Sequence, residues 1–586
     1  MLRTHTCGEL RANSVGKEVV LSGWVDQHRD FGQLFFIALR DRYGVTQCVF
    51  EGDDESLAQQ VKELGLEYCI SIKGVVRKRR DQDINKDVPT GELEVAIKKI
   101  TVLNKSKVLP FSLHSKGTIS DDLRFKYRYL DLRRPKMQSH LEIRNKIIQA
   151  ARSALTDLGF LEIETPLFVR STPEGARDFV VPSRVHAGKF YALPQSPQLY
   201  KQLLMISGCD RYFQFAAAFR DEDLRADRVP VHTQIDMEMS FVEEKDVFHA
   251  VETYLSRIFK EVKDITIPLP LPIMTYREAM ERFGSDKPDV RFALELQTVT
   301  DLAQATDFPG FKEAATVRCI TVPDAQSLSR KDLDAFAELA PKYRGCKFYF
   351  ARLKDGAWTG GVAKFFANDC GKKLATATGA KEESVVLIVA GPYEEASKYL
   401  CALRLDMGKR FDLIDKSRLA FLWVNEFPLF EYDHDRGVYN AMHHHFCQPM
   451  AEDLQYLETK PEKVRGQLYD LVLNGVELLS GSIRINRPEI QEKVFEITGF
   501  SKEEAESKFG FLMEAFRFGA PPHGGSAMGL DRLTALLCEV DSIRDVIAFP
   551  CNNQGIFPLD GSPAPISEVQ LHELSLSVTA QKTVKE

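Results

Sequence analysis

Two segments of the chain alternate apolar and polar residues with a period of two, which is typical of β-strands that bury one face. Their apolar members are Phe213, Phe215, Ala217 and Phe219 in the first segment and Ile235, Met237, Met239 and Phe241 in the second. Residues 223–232 are charged, contain a proline and separate the two segments, so the pattern predicts an antiparallel pair. Its polar face would hold Arg220, Gln234, Asp236 and Glu238. Such a face suits a polar ligand or, in an ordinary amphipathic hairpin, solvent.

The first 105 residues contain five short strand patterns and one helical pattern. The predicted strands cover residues 19–25, 34–39, 45–50, 68–76 and 93–103, and the helix covers residues 55–64. A helix between the third and fourth of five strands is the order of an OB-fold β-barrel, a small domain that often binds single-stranded nucleic acid. In the second strand, Phe36 lies on the face opposite to Phe35 and Ile37, where it could stack on an unpaired base. Packing of Phe36 beneath a loop is the alternative.

The rest of the chain contains a connector, a long helix and an insertion. Residues 106–138 form a polar connector, after which Ser139 and Glu142 predict a capping box for a helix that Gly159 ends. Residues 290–415 alternate strand and helical patterns and predict a self-contained α+β insertion, with no catalytic residues that stand out. Its strands are predicted at residues 317–322, 348–353 and 384–389 and its helices at residues 332–340 and 393–403.

Composition narrows the class of protein. The 586 residues are 44% hydrophobic and 27% charged with a net charge of -7, as in ordinary globular proteins. No apolar run approaches the ~20 residues that cross a bilayer, and the N-terminus lacks the apolar core of a signal peptide, so a cytoplasmic protein is expected. The 11 cysteines lack the spacing of a zinc site or a disulfide framework. A basic cluster at residues 73–80 suits contact with a nucleic-acid backbone.

Several motifs resemble those of class II aminoacyl-tRNA synthetases. Phe219-Arg220-Asp221-Glu222 resembles motif 2, and residues 159–166 resemble part of motif 1. A glycine-rich run resembles motif 3, and not a P-loop or a GxGxxG loop, and it reads Gly524-Gly525-Ser526-Ala527-Met528-Gly529-Leu530-Asp531-Arg532-Leu533. A further motif narrows the resemblance to the aspartate, asparagine and lysine subclass, and most closely to its bacterial-type aspartyl enzymes; it reads Gln195-Ser196-Pro197-Gln198-Leu199-Tyr200-Lys201.

This resemblance implies an α+β multidomain fold. An OB-fold anticodon-binding domain would cover residues 1–105, and the connector would cover residues 106–138. The class II catalytic domain, an antiparallel sheet flanked by helices, would have its first part at residues 139–289. Its second part and a C-terminal tail would cover residues 416–586, with the insertion at 290–415 between the two parts. The resemblance also implies a homodimer that has no membrane association.

The resemblance further implies ATP-dependent attachment of L-aspartate to tRNA(Asp) through an aspartyl-adenylate, and it leaves open whether tRNA(Asn) is charged as well. Arg220 and Arg532 would be catalytic, and Asp470 with Glu477 would bind Mg²⁺. The matching aspartate-binding positions are Glu174, Ser196, Gln198, Lys201, Arg220, Asp236, His443, His444 and Arg484. The matching ATP-binding positions are Arg220, Asp221, Glu222, Val229, His232, Glu477, Gly529, Leu530, Asp531 and Arg532. The matching anticodon-binding positions are Arg29, Phe31, Phe36 and Gln47.

Three positions depart from the family pattern. His232 stands where the related enzymes usually have an adenine-stacking phenylalanine, Val229 stands where a glutamine is common, and Phe31 matches neither residue associated with the two tRNA specificities.

Residues 443–445 are three adjacent histidines, which invite a metal hypothesis; on a strand, however, neighbours point to opposite faces, which favours substrate contact. The alternatives are a lysyl enzyme, an asparaginyl enzyme and an inactive paralogue that binds tRNA or nucleotide. Paired Lys201 and Arg484 favour aspartate.

Overall fold

The computed structural model describes residues 2–115, 117–172, 175–366 and 368–579. The chain divides into two compact units. The first unit comprises residues 1–142 and 544–564, and the second comprises residues 143–543 and 565–586. None of the helices in the described part of the chain is long and apolar enough to cross a membrane.

A closed five-stranded barrel is the main domain of the first unit. Its elements are β1 (Glu18–Asp30), β2 (Leu34–Asp41), β3 (Gly44–Glu51), α1 (Glu55–Lys62), β4 (Cys69–Lys78) and β5 (Leu93–Asn104). The strands pair in the order β1-β2-β3-β5-β4, which confirms the predicted OB-fold. Alternate residues of β2 face the core, so Phe35 and Ile37 are buried whereas Phe36 is half-buried on the outer face.

Buried arginine side chains organise the rest of the first unit. The connector contains α2 (Asp121–Lys126) and α3 (Arg128–Asp131), and within α3 Arg128 donates to the buried carboxylate of Asp131 at 2.7 Å. Arg128 also donates to the carbonyl oxygens of Ile547 and Ala548 at 2.8 and 3.0 Å. These bonds hold residues 544–564 in the first unit. Residues 416–586, predicted as the second part of the catalytic domain with a C-terminal tail, are thus divided between the two units.

The next helix, α4 (Pro135–Asp157), begins earlier than predicted. The capping box at Ser139 is wrong because proline fits the first helical position: its fixed φ suits the helix and it has no N–H to satisfy. Ser139 lies inside the helix, where its hydroxyl donates to the backbone carbonyl three residues earlier at 2.8 Å. Ile147 and Leu155 of this helix are fully buried and form part of its apolar face.

The first part of the second unit follows α4. Its elements are β6 (Leu161–Glu162), β7 (Val180–Pro182), β8 (Phe190–Ala192), α5 (Gln198–Ile206), β9 (Arg211–Phe219), β10 (Val231–Ser240), α6 (Glu244–Lys263), β11 (Ile273–Thr275) and α7 (Tyr276–Phe283). The two strands predicted from alternation are β9 and β10, and they pair antiparallel with Gln214 opposite Asp236. The hairpin prediction is confirmed except at Phe241, which follows the end of β10 and is 76% exposed.

The predicted insertion has a sheet of its own. Its elements are β12 (Gln297–Thr298), α8 (Thr300–Gln304), α9 (Pro309–Lys312), β13 (Thr316–Val322), α10 (Arg330–Ala337), β14 (Lys347–Lys354), β15 (Ala357–Thr359), α11 (Asn368–Thr378), β16 (Val385–Gly391) and α12 (Tyr393–Arg410). The strand order is β12-β13-β16-β14-β15, and the central strand β16 is buried at every residue. The three predicted strands are confirmed as β13, β14 and β16.

The chain then returns to the main sheet. The remaining elements are β17 (Phe421–Asn425), β18 (Phe430–Asp433), β19 (Val438–Ala441), β20 (Leu468–Leu473), β21 (Val476–Ile483), α13 (Pro488–Ile497), α14 (Lys502–Phe516), β22 (His523–Gly529), α15 (Leu530–Leu537) and α16 (Glu568–Glu573). The main sheet has eight strands in the order β11-β17-β20-β21-β22-β10-β9-β6. Its edge pairs are parallel, so the sheet is mixed and not purely antiparallel as predicted. One face of the sheet shares an apolar core with α4 and α6.

The close approach of β10 to β22 requires glycine at position 525. A Cβ atom on Gly525 would clash with the carbonyl oxygen of Met237 and with the carboxylate of Glu238. Gly525→Ala is therefore expected to cost about 1–3 kcal/mol of stability, which thermal unfolding would record as a lower Tm. Ser526→Ala is the matched control, because the buried Ser526 hydroxyl has no hydrogen-bond partner among the described residues. A Gly525→Ala protein with the Tm of the wild type would contradict this packing.

Candidate active site

One row of residues crosses the main sheet on the face opposite to the apolar core. Asp236 of β10 lies opposite Ala527 of β22, Ala527 lies opposite Ser480 of β21, and Ser480 lies opposite Asp470 of β20. Residues paired in register share a face of the sheet. Two carboxylates therefore stand on one face with only small side chains between them. The polar face predicted for the hairpin is part of this wider polar floor.

Four buried charged residues form an ion cluster on this floor. Lys201 of α5 places its Nζ 2.9 Å from Oδ2 of Asp236 and 3.3 Å from Oε2 of Glu238. Arg484, directly after β21, donates to Glu238 from Nε at 2.9 Å and from Nη2 at 3.1 Å. No side chain of the four is more than 2% exposed. Glu238 was expected on this face without a role. In the structure its carboxylate contacts both cations, Lys201 and Arg484.

The two carboxylates of the ion cluster differ in acidity. Burial raises the pKa of Glu238, but the charges of Arg484 and Lys201 outweigh this effect and hold that pKa below its ordinary value. At Asp236 burial dominates and raises the pKa despite Lys201. Oδ1 of Asp236 is buried and has no hydrogen-bond partner in the described ranges of the chain. An ammonium group of a ligand would satisfy this oxygen and favour the charged carboxylate.

Two of the three adjacent histidines adjoin the polar floor. Nε2 of His444 lies 2.7 Å from Nη1 of Arg484, and Nδ1 of His443 lies 3.2 Å from Oγ of Ser480. Burial lowers the pKa of His443 to about 4 and the pKa of His444 well below its ordinary value, so both rings are neutral at neutral pH. His445 instead packs edge-on against an aromatic ring, that of Phe500. The three histidines were expected on a strand, but they lie in a loop. Their side chains nevertheless point to different surroundings.

A second pair of carboxylates lies at the Asp470 end of the row. Asp470 is buried, and its Oδ1 has no hydrogen-bond partner among the residues that the structure describes. Burial, reinforced by the charge of Glu477, raises the pKa of Asp470 well above its ordinary value. No group of three or more potential ligands within the described residues could hold a metal ion by itself. Two carboxylates do fit Mg²⁺, which binds through one or two of them and keeps waters or phosphate oxygens as its other ligands.

Arg532 lies beside these carboxylates, and Arg220 and a neutral histidine, His232, lie near Arg532. Arg532, in the first turn of α15, donates from Nη1 to the carbonyl oxygen of Glu477 at 2.6 Å. Burial lowers the pKa of His232 to about 4, and the nearby charges of Arg220 and Arg532 add to this effect. Nε of Arg220 is buried without a hydrogen-bond partner in the described part of the protein. Two cations near an uncharged ring suit a ligand that combines phosphates with an aromatic base.

Some predicted ATP-binding residues have structural side chains. Oδ2 of Asp531 accepts from the backbone N–H of Thr233 at 2.8 Å, and Oδ1 pairs with Arg144. The side chain of Leu530 lies in the apolar core. Asp531 and Leu530 could therefore bind a ligand only through their backbone groups. The sequence did not indicate that their side chains are engaged elsewhere. At Gly529, in contrast, the nearest described atom to the position of a Cβ, apart from those of the adjacent residues, is Cβ of Arg532 at 3.5 Å, which leaves room for a ligand near the backbone.

The other predicted ATP-binding side chains differ in exposure. Asp221 is exposed, Val229 is buried, and Glu222 pairs with Arg228 at 2.9 Å. All of these residues lie in the segment that connects β9 to β10. Their contacts with a nucleotide stay predictions.

The buried side of α5 carries two predicted aspartate-binding residues, Gln198 and Lys201. The helix begins at Gln198, with Pro197 as its N-cap. Oγ of Ser196 accepts from the backbone N–H of Gln198 at 3.3 Å. The structure thus brings Ser196, Gln198 and Lys201 together, as predicted.

A loop before α5 is tied to the same region. Gln195 donates to the carbonyl oxygen of Ala176 at 2.8 Å and to the carboxylate of Asp178. Backbone bonds also link Arg177 to Asp221, next to the predicted catalytic Arg220. Predicted residue Glu174 of this loop lies outside the described residues. Sequence reasoning missed Gln195 and Asp178 as positioning residues, because their pairing becomes apparent only in three dimensions.

The predicted anticodon-binding residues lie on neighbouring strands of the barrel. Arg29 of β1 is opposite Phe36 of β2. Phe31 is 67% exposed, and its ring packs edge-on against Phe36 with centroids 5.9 Å apart. Gln47 of β3 donates to Oε2 of Glu94 at 2.9 Å. The barrel therefore presents a pair of accessible aromatic rings beside an arginine, which is a suitable surface for unpaired bases.

Comparison with known families accounts for both the barrel and the main sheet. The family model described as tRNA synthetases class II (D, K and N) matches residues 120–553. The model of the OB-fold nucleic acid binding domain matches residues 19–103. The solved structure of asparaginyl-tRNA synthetase from Pyrococcus horikoshii complexed with asparaginyl-adenylate shares the fold with a TM-score of 0.59 and 19% identity. This similarity covers 94% of the present chain and 98% of that chain.

Two curated relatives match over nearly their whole length. The aspartate–tRNA(Asp/Asn) ligase of Caldanaerobacter subterraneus subsp. tengcongensis is 48% identical over 581 residues, which cover 98% of each chain. The aspartate–tRNA ligase of Bacteroides fragilis is 48% identical over 583 residues, which cover 99% of each chain. The chain therefore belongs to the class II aminoacyl-tRNA synthetases of the aspartate, lysine and asparagine group.

Proposed function

We propose that the protein is an aspartate–tRNA ligase, which uses ATP to attach L-aspartate to tRNA. The ion cluster is the observation that carries this proposal, because it brings the buried cations Lys201 and Arg484 together on the polar floor. A buried carboxylate on the side chain of the substrate is tolerable only where cations meet it. Both relatives at 48% identity are named aspartate–tRNA ligases, which supports the same conclusion.

The first step would be activation of aspartate. Its α-carboxylate attacks the α-phosphorus of ATP, a carboxyl–phosphate bond forms, and pyrophosphate leaves, which gives aspartyl-adenylate. A carboxylate is already a nucleophile, so no general base is needed and the protein has to position the substrates and neutralise charge. Arg220 would bind the α-phosphate and the reacting carboxylate, since its buried Nε has no other partner among the described residues. Arg532 would bind the terminal phosphates.

The ion cluster would orient aspartate by its two other charged groups. Glu238 accepts from Nε and Nη2 of Arg484, and Nη1 contacts Nε2 of His444 at 2.7 Å and Oγ of Ser482 at 2.6 Å. The side-chain carboxylate of aspartate would bind Nη1 in place of one of these two neutral partners. Lys201 would supply the second cation, with His443 nearby. The α-amino group would meet Oδ1 of Asp236. The remaining residues proposed to bind this amino group are Ser196, Gln198 and Glu174.

The nucleotide would lie over the hairpin and β22, on the polar face of the main sheet. The neutral ring of His232 would stack on adenine, where relatives usually use phenylalanine, and Glu222 would bind the base edge. The other proposed contacts come from Asp221, Val229 and the segment from Gly529 to Asp531. Asp470 and Glu477 would hold Mg²⁺, which supplies positive charge to the phosphate oxygens when it is bound.

In the second step, the 3′-hydroxyl of the terminal adenosine of tRNA would take the aspartyl group from the adenylate, and AMP would leave. The barrel would bind the anticodon through Arg29, Phe31, Phe36 and Gln47. The test of this function is aspartate charging of purified tRNA(Asp) and tRNA(Asn), each alone. Charging of tRNA(Asp) is expected, and failure to charge either tRNA would contradict the proposal. Charging of tRNA(Asn) as well would assign the protein to the dual-specificity type.

We also propose that the protein forms a homodimer. Large apolar side chains are exposed in and around β6, β7 and β8, and they are Leu161, Leu167, Phe168, Val180, Val185 and Phe190. Phe168 also stacks on the exposed ring of Tyr191, with centroids 5.2 Å apart. Exposed apolar surface is typical of protein interfaces. Light scattering of the purified protein should give the mass of a dimer, and a monomer at micromolar concentration would contradict this proposal.

The fork of Arg484 is expected to set affinity for aspartate. Arg484→Lys keeps a cation for Glu238 but loses the two-pronged geometry, so the KM for aspartate should rise roughly 10- to 100-fold while the KM for ATP stays nearly constant. Aspartate-dependent pyrophosphate exchange measures both constants. The matched control is Arg487→Lys, a change at a half-exposed arginine three residues away. A loss of ATP affinity with unchanged aspartate affinity would place Arg484 in the nucleotide site instead.

Phe36 is expected to contribute to tRNA binding but not to activation of aspartate. Stacking of one base on an aromatic ring is worth about 1–3 kcal/mol, so Phe36→Ala should raise the KM for tRNA roughly tenfold or more. Pyrophosphate exchange should be unchanged. Tyr43→Ala is the control, because Tyr43 is an exposed aromatic residue of the same barrel in the β2–β3 turn. Equal KM values for tRNA in the Phe36→Ala and wild-type proteins would remove Phe36 from the tRNA-binding surface.

A further inference from the structure

Lys287 lies beside the proposed magnesium carboxylates, yet the proposed function gives it no role. It belongs to the segment that links α7 to the insertion. Its Nζ lies 3.6 Å from Oε2 of Glu477 and 3.7 Å from Oδ2 of Asp286. Both distances exceed the roughly 2.7–3.2 Å of a close N–H···O hydrogen bond. The ammonium group is therefore near both carboxylates without being committed to either.

Contacts on two sides fix the segment that carries Lys287. On one side, Asp289 packs against the β20–β21 turn, where a Cβ on Gly475 would lie 3.0 Å from Cβ of Asp289. On the other side, the buried Arg404 of α12 donates from Nη2 to the carbonyl oxygens of Asp289 at 3.0 Å and Phe292 at 2.8 Å. The insertion thus holds this segment against the hairpin that carries Asp470 and Glu477.

The charge around Lys287 is negative. Asp286, Asp470 and Glu477 each lie close enough to act electrostatically on its ammonium group. A phosphate chain that approached these carboxylates without a cation would be repelled by them. The side chain of Lys287 is 46% exposed, so a ligand can reach it. An ammonium group carries three donors and binds phosphate as a compact point charge.

We propose that Lys287 is a further phosphate-binding residue of the nucleotide site, and that its ammonium group contacts the terminal phosphates of ATP next to Asp470 and Glu477. This inference rests on the proposed placement of ATP at these carboxylates. Arg532 reaches the same place, because it donates to the carbonyl oxygen of Glu477. Arg404 is then a positioning residue through which the insertion supports the nucleotide site.

The test compares ATP with AMP, which lacks the terminal phosphates. Calorimetry of the full chain with Mg²⁺ should give a Kd for ATP that is roughly tenfold higher for Lys287→Met, as expected for the loss of one partly exposed charge-assisted hydrogen bond. The Kd for AMP should not change. Lys287→Arg keeps the charge and should restore most of the ATP affinity. Lys312→Met is the matched control, because Lys312 is an exposed lysine of the insertion paired with Asp307, and it should bind both nucleotides like the wild type.

Two results would overturn the inference. One is wild-type ATP affinity in the Lys287→Met protein, and the other is an equal loss of ATP and AMP binding together with a lowered Tm, which indicates a structural role. Arg532→Ala separates this inference from the proposed function. If Arg532→Ala loses ATP affinity and Lys287→Met does not, only the role of Lys287 is wrong. If neither variant changes ATP affinity, the nucleotide site itself is misplaced.

Discussion

Burial of Lys201, Asp236, Glu238 and Arg484 on one face of the main sheet is the constraint on which the candidate site depends. Each of these charges would be costly to bury alone, and each is tolerated because opposite charges lie within hydrogen-bond distance. The cluster needs β10 and β21 to be separated by one strand of small residues, which is why β22 carries glycine opposite Glu238. Loss of Lys201 would leave Asp236 without its cation, and loss of Glu238 would leave Arg484 without its anion.

This balanced cluster also explains how the site could select its substrate. The two anions hold the two cations in place before a ligand binds, so the geometry is fixed in advance and little has to be reorganised. Nη1 of Arg484 contacts only neutral partners, His444 and Ser482, among the described residues, and Asp236 keeps one oxygen without a partner in the same part of the chain. A carboxylate and an ammonium group on one small molecule match these two positions. An amide side chain would not supply the charge that meets Lys201 and Arg484.

Much of the fold followed from local patterns in the sequence. The strict alternation in β9 and β10 predicted the hairpin, and the order of strands and helix predicted the barrel. The ion cluster did not follow in the same way, because Glu238 and Arg484 are 246 residues apart and meet only through the strand order of the sheet. The role of Asp531 was hidden for a related reason, since its partners Arg144 and Thr233 come from two distant elements. The predicted helix start at Ser139 was wrong for a local reason. Pro135 suits the first helical position, and the helix begins there instead of at the capping box.

The amino acid that the site activates is the most direct test of the account. Pyrophosphate exchange on the full chain should be measured with aspartate, asparagine and lysine in turn, at the same ATP and Mg²⁺ concentrations and without tRNA. Rapid exchange with aspartate alone is predicted, because only aspartate brings a second carboxylate to Lys201 and Arg484. Exchange that is as fast with asparagine or lysine as with aspartate would contradict the assignment of these cations to the substrate's side chain.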